Sequence, residues 1–221
     1  MTATPKTNPP LLAPWTGAFG GLPPFANVKV EDFKPALEAA MADKRRNIAA
    51  IADNPAAPTF DNTIAALENA GRTFERVETI YGVWSSTMNG DAFKAVEREM
   101  APKLAAFEDE LVQNEKLWKR VEAVYESKDK ATLTPEQQRL TWRRWNALVR
   151  AGAKLDAAAK KRLTEINQRL ASLYTTFSQN VLADEESHAL IIESEADLAG
   201  LPDSVRSGAA AAAEARGMKG K

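Results

Sequence analysis

A chain of 221 residues with 44% hydrophobic residues can bury roughly 70% of its unfolded surface, and so reads as a globular protein of one or two domains. Its 29 basic and 30 acidic residues leave a formal charge of -1, which gives no footprint for nucleic acid or for an acidic membrane surface. It has no cysteine, which excludes disulfides, thiolate zinc sites and a cysteine nucleophile and fits a reducing compartment.

The opening MTATPKTNPPLLAPW lacks the apolar run of a signal peptide, and no later run approaches the ~18 apolar residues of a membrane span. A cytoplasmic protein is expected, with no nucleic-acid or membrane partner. Six of the twelve prolines lie between Pro5 and Pro24, and with Gly20-Gly21 they forbid a helix. Residues 1–27 therefore read as an extended Pro/Gly-rich arm. Leu11, Leu12, Trp15, Phe19, Leu22 and Phe25 are too many apolar side chains for a solvated linker, so the arm should lie across a helical surface.

A first helix is predicted from about Glu31 to Asp53, with Phe33, Leu37, Met41, Ile48 and Ile51 at helical spacing and Pro35 in its first turn. A second, from about Asp61, carries Ile64, Leu67, Phe74, Val77, Tyr81 and Trp84 and ends near Asn89-Gly90. A third follows Asp91 with Phe93, Val96, Met100, Leu104, Phe107 and Leu111 in register, and Pro102 predicts a kink or a break near Glu99. Glu115 to Tyr125 reads as a shorter helix on Leu117, Val121 and Val124. Thr134-Pro135-Glu136-Gln137 is a strong helix start, with a threonine cap, proline at the first helical position and glutamine three residues after the cap; this helix runs to about Arg150. The longest pattern, Asp156 to about Asn180, sets Leu163, Ile166, Leu170, Leu173, Phe177 and Val181 in one seam over about 37 Å. His188-Ala189-Leu190-Ile191-Ile192-Glu193-Ser194 alone resembles a strand. A last, alanine-rich helix should begin near Pro202 and end at Gly217. The fold class is all-α, multi-helix, with the Pro-rich arm in front and one short β segment near the C-terminus.

Motifs add little chemistry. Glu185, Glu186, Ser187 and His188 spell Glu-x-x-His, a spacing used by di-metal helical bundles, but such a site needs the motif twice and the chain has one histidine. The same count excludes His-Glu-x-x-His zinc chemistry. No Gly-x-Ser-x-Gly elbow accompanies His188, and FGGLPPF is not a phosphate loop. Glu108, Asp109 and Glu110 alternate with apolar positions and read as a solvated face. Arg143-Arg144 between Trp142 and Trp145 looks like a stacking and phosphate site, yet the two tryptophans are three apart on one helical face, which suits packing better.

The order of several stretches is more specific. NPPLLAPWTGAFGGLPPF, VEDFKPALEAAM, PTFDNTIAALENAGRTFERV, YGVWSSTMNGDAFKAVEREMAPKLAAFEDEL, LTPEQQRLTW, VRAGAKLD and LTEINQRLASLYTTFSQNVLADE together resemble the N-terminal part of the peptidyl-dipeptidase Dcp family. They are more distantly similar to oligopeptidase A and the other thimet-oligopeptidase-like zinc metallopeptidases. The resemblance implies the first third of a mostly helical, two-lobed, cytoplasmic enzyme that removes dipeptides from the C-termini of short peptides. It also implies a zinc cofactor held by a His-Glu-x-x-His helix in the later part of the family's chain. No catalytic or metal role therefore transfers to any position here, and substrate-contacting residues stay unassigned. At Arg143, Arg144 and Leu148 the chain departs from the family's more apolar and aromatic pattern.

On this basis residues 1–27 are the arm, 28–186 a helical N-terminal lobe and 187–221 a short strand plus terminal helix, truncated before a catalytic domain. The chain is expected to be inactive alone and to hold no cofactor. Its expected partners are short peptides in the full-length enzyme, the missing catalytic domain, and further copies of itself through exposed apolar surface. The alternative is a stand-alone helical peptide-binding or protein-interaction module without catalysis. The strand at Ala189 to Ile192, lacking its expected partner, should be disordered, pack on the last helix or pair with another copy.

Overall fold

The structure is a computed structural model that describes residues 10–218 and 220; the arm's first nine residues lie outside that range. The described chain divides into two compact units, one ending at Thr176 and the other starting at Phe177, so the boundary falls within a single long helix.

The first unit is built on α1 (Val30–Ala52). Lys29 N–H donates to Asp32 Oδ2 at 2.9 Å to close its first turn; Pro35, expected in that turn, is the sixth residue of the helix, and having no N–H it gives up the helical bond to the Glu31 carbonyl. The predicted second helix is broken in the structure. Thr59 caps a π-helical turn, Phe60–Ala65, which runs into the short α2 (Ala66–Asn69), and α3 (Arg72–Thr87) starts afresh. The break lies at Gly71, whose φ of +84 and whose position against Lys44 leave no room for a side chain: a Cβ there would come within 2.6 Å of Lys44 Cδ.

α4 (Asp91–Val112) passes through Pro102 as one helix, so that of the kink or break expected near Glu99 the break does not occur. Met100 and Phe107, fully buried on either side, hold the helix through its missing hydrogen bond. α5 (Glu115–Glu126) and α6 (Pro135–Arg150) form an adjacent pair. The start of α6 follows its sequence: Thr134 Oγ1 accepts from Gln137 N–H at 3.3 Å and Gln137 Oε1 accepts from Thr134 N–H at 3.0 Å.

Two apolar clusters result. In the first, Phe33 stands edge-on to Trp84 at 5.2 Å and to Phe93 at 5.1 Å, with Leu37, Val77, Ile80, Met100 and Phe107 around them. Truncation of such a phenylalanine to alanine costs about 3–5 kcal/mol. Within the arm, Leu11 is fully buried in this cluster, and Leu12 and Trp15 pack against it, whereas Phe19, Leu22 and Phe25 are exposed. The second cluster gathers Ile48, Ile51, Ile64, Leu117, Val121, Val124 and Leu148.

α7 (Ala157–Ser187) is 31 residues long and continues past the expected end near Asn180. In the second unit it is followed by a 3-10 turn, Glu195–Leu198, and α8 (Asp203–Ala215). The β segment expected at Ala189 to Ile192 does not form, and the described residues contain no strand. A strand needs a neighbour for its backbone N–H and C=O groups, and no described segment supplies one. The segment instead shares an apolar groove of about 240 Å³ with Leu198, Ala209, Ala213 and Met218. The fold is thus all-α, without the β segment.

Candidate functional site

The groups singled out in the sequence are not brought together. Glu185 and Glu186 lie exposed on the last turn of α7, and His188 follows exposed, its N–H donating to the Asp184 carbonyl at 3.0 Å. No group of three or more His, Cys, Asp or Glu that could hold a metal ion occurs among the described residues. No helix among them is long and apolar enough to cross a membrane.

The acidic triplet on α4 is not one solvated face. Glu110 pairs bidentately with Arg45 at 2.8 and 3.0 Å, and Glu108 Oε1 stands 3.9 Å from Lys44 Nζ. Asp109 is only 8% exposed; its Oδ1 accepts from Asn167 Nδ2 on α7 at 2.7 Å. That bond and one from Gln113 Nε2 to Thr164 Oγ1 at 3.0 Å tie α4 to α7 within the first unit. Of the tryptophan pair, Trp145 stacks on Tyr125 at 4.2 Å and 12° while Trp142 remains partly exposed under Arg139. Arg143 faces solvent, and Arg144 Nε donates to Glu68.

Three features were hidden in the pattern. Arg120, 7% exposed, donates from Nη1 to the carbonyls of Asn54 at 2.7 Å and Ala56 at 2.9 Å, and from Nη2 to Asn62 Oδ1 at 2.9 Å and Thr63 Oγ1 at 3.3 Å. It fastens the turn before α2 to α5. Between α3 and α4, Glu97 accepts from Ser85 Oγ and, at 2.9 Å, from Asn89 Nδ2. Burial, with Glu97 nearby, pushes the Tyr81 hydroxyl above its ordinary range.

The third feature is a cleft of about 300 Å³ whose lining comes from α1, α2, α3, α4 and α6. Ile48, Leu67, Leu111 and Leu148 contribute apolar surface, and Lys44, Glu75, Glu108 and Arg144 contribute charge. Burial first, then the Glu108 carboxylate, raises Glu78 above the ordinary glutamate range, with Lys44 acting the other way. Two of the charged residues occupy otherwise apolar helical rows: Lys44 lies between Met41 and Ile48, and Arg120 between Leu117 and Val124. A charged residue at an apolar position was the available signal.

The surface carries unpartnered apolar side chains. In the first unit, α7 exposes Leu170, Leu173 and, at 67%, Tyr174. In the second, Phe177 is 67% exposed and Leu190 90%, with Val181, Ile191 and Val205 also open. Rows of this kind on a helical surface mark places where protein meets protein.

No protein-family model matches the chain. Among known proteins, it is 33% identical over 199 residues to dipeptidyl carboxypeptidase of Escherichia coli (strain K12), an overlap of 90% of this chain and 29% of that protein. It is 29% identical over 200 residues to oligopeptidase A of Haemophilus influenzae, 90% of this chain and 29% of the relative. The chain is thus similar along about 90% of its length to proteins named dipeptidyl carboxypeptidase and oligopeptidase A. Oligopeptidase A of Escherichia coli extends the overlap to 211 residues at 27% identity, 96% of this chain and 30% of that protein. The chain therefore spans less than a third of the length of these dipeptidyl carboxypeptidase and oligopeptidase A relatives, and its similarity supports correspondence to an N-terminal region of such proteins.

Proposed function

We propose that this chain is the N-terminal, non-catalytic part of a cytoplasmic zinc peptidyl-dipeptidase, an enzyme that releases dipeptides from the C-termini of short peptides, and that it is inactive alone. The observation that carries this is the alignment itself: 90% of the chain matches only 29% of dipeptidyl carboxypeptidase. A catalytic zinc takes three protein ligands, commonly histidines and a carboxylate, and keeps a fourth position for water. The residues here do not fit that ion, because the chain has one histidine and no cysteine and its described acidic groups form no suitable cluster. No step of hydrolysis is assigned to them.

What the chain contributes is a rigid helical wall. Its two aromatic and aliphatic clusters fix the helices, and the apolar side chains left open on α7, such as Leu173 and Tyr174, suit a surface that rests on the remainder of the enzyme. An assay with a blocked tripeptide and added zinc tests this. Release of dipeptide no faster than in buffer is expected; turnover that survives repurification and disappears with a chelator would overturn the reading.

A further inference from the structure

Phe19 is the one described residue other than glycine with a left-handed backbone, at φ +58 and ψ +28. For a bulky side chain that conformation is an outlier which a glycine would adopt freely, and Phe19 is 96% exposed, so no burial within the described chain offsets the strain. The loop around it is built to hold it there. Leu22 N–H donates to the Thr16 carbonyl at 3.1 Å and Gly21 N–H to the Ala18 carbonyl at 3.0 Å. Gly21, at φ +119, has no room for a Cβ, which would come within 2.7 Å of the Trp15 carbonyl oxygen, and Trp15 itself packs against the first core cluster. Strain that the surroundings enforce points to a functional contact, and an aromatic ring held out on a fixed base is the type of side chain that anchors an interface. No charged residue occurs from Pro10 to Val28, so the surface that receives the ring is apolar.

The second unit carries such a surface. The groove between the Ala189 to Ile192 segment and α8 encloses about 240 Å³, more than the roughly 150 Å³ of an apolar cavity that takes up benzene. Arg206 and Arg216 join its apolar lining. Arg206 donates to Glu195, but the Arg216 guanidinium makes, among the described residues, one long bond, to the Ala212 carbonyl at 3.4 Å. A guanidinium with a free face favours an aromatic ring over an aliphatic side chain. We propose that Phe19 of one copy inserts into this groove of a second copy, with the ring against Ile191, Leu198 and Ala213 and one face towards Arg216. The contact joins two different surfaces, so it links copies head to tail and leaves a free ring at one end and a free groove at the other. A single loop covers far less than the ~1,000 Å² of a stable interface, and the association is correspondingly weak, with a Kd of about 0.5 mM. This inference uses only the loop and the groove and does not rest on the peptidase reading.

The test follows the methyl NMR signals of Ile191, Ile192, Leu198 and Met218 in the full chain over a dilution series from about 1 mM to about 0.02 mM, a range that spans the expected Kd, with sedimentation velocity on the same samples. Signals and sedimentation coefficient should both change with concentration. Phe19→Gly should weaken self-association about tenfold or more while raising Tm slightly, because the strain is gone. Ala209→Glu puts a charge into the groove on an exposed face of α8 and should also leave the chain monomeric. Mixed, the two variants should form a one-to-one complex that grows no further, because each supplies the half that the other lacks. Signals in the parent that ignore concentration, self-association of Phe19→Gly equal to the parent's, or a mixture of the two folded variants that stays monomeric would each overturn the proposal. If Ale209→Glu does not fold, labelled Phe19→Gly mixed with unlabelled parent decides: its groove methyls should shift, and unmoved methyls would contradict the insertion.

Discussion

Replacing Arg120 by methionine isolates one buried polar hub. The guanidinium makes its hydrogen bonds to neutral acceptors, the Asn54 and Ala56 carbonyls and the Asn62 and Thr63 side chains, and no carboxylate pairs with it among the described residues. Methionine keeps much of the stem but leaves the acceptors without a donor. Each buried unsatisfied group costs about 1–3 kcal/mol. The Ala56 carbonyl, on an exposed residue, can turn to water, and relief of the guanidinium's own desolvation offsets part of the remainder. A net loss of about 3 kcal/mol follows, which for a chain of this size lowers Tm by about 6–12 °C. All five tryptophans, Trp15, Trp84, Trp118, Trp142 and Trp145, lie in the first unit, so thermal unfolding followed by tryptophan fluorescence reports on the unit that contains Arg120. Arg120→Lys, which retains charge but fewer donors, should fall between the two. A Tm for Arg120→Met within about 2 °C of the parent, at the scale just used, would refute the account of Arg120 as the fastener of that turn.

Glu78→Gln should stabilise the protein at neutral pH, by up to about 1 kcal/mol after allowance for solvent screening. Because the folded-state pKa of Glu78 is raised above the ordinary 4.5, the folded protein holds this proton more tightly than the unfolded chain, and parent stability falls as pH rises from about 4.5 through the raised value. Urea melts at several pH values should show the two proteins converging below pH ~4.5, and a constant gap at all pH values would contradict this. Thr134→Ala removes one half of the capping box at α6 and should cost about 1 kcal/mol, read as a lower urea midpoint with unchanged slope.

Helix starts with a chemical signature were legible in the sequence: the Thr134-Pro135-Gln137 box fixes α6 to the residue. The seam of α7 was legible as a helix but not as an open surface, because periodicity reports which side chains share a face and not whether anything covers it. The apolar run at Leu190 to Ile192 misled because strand formation depends on a partner, which lies outside the run's own residues. The break before α3 was missed for a related reason: Gly71 looks tolerable within a helix, and its φ of +84, which ends the helical path, is a property of the folded backbone and not of the residue type. The charged residues in apolar rows, Lys44 and Arg120, were visible in the sequence but need the neighbouring helices to give them a role.

The central claim is that this chain serves a peptidase whose chemistry lies elsewhere in the polypeptide. The measurement that tests it most directly is the nucleotide sequence of the transcript following the Lys221 codon. An open frame that continues into His-Glu-x-x-His is the predicted result; a stop codon at that point, in a cell where the chain accumulates as a folded protein, would contradict it.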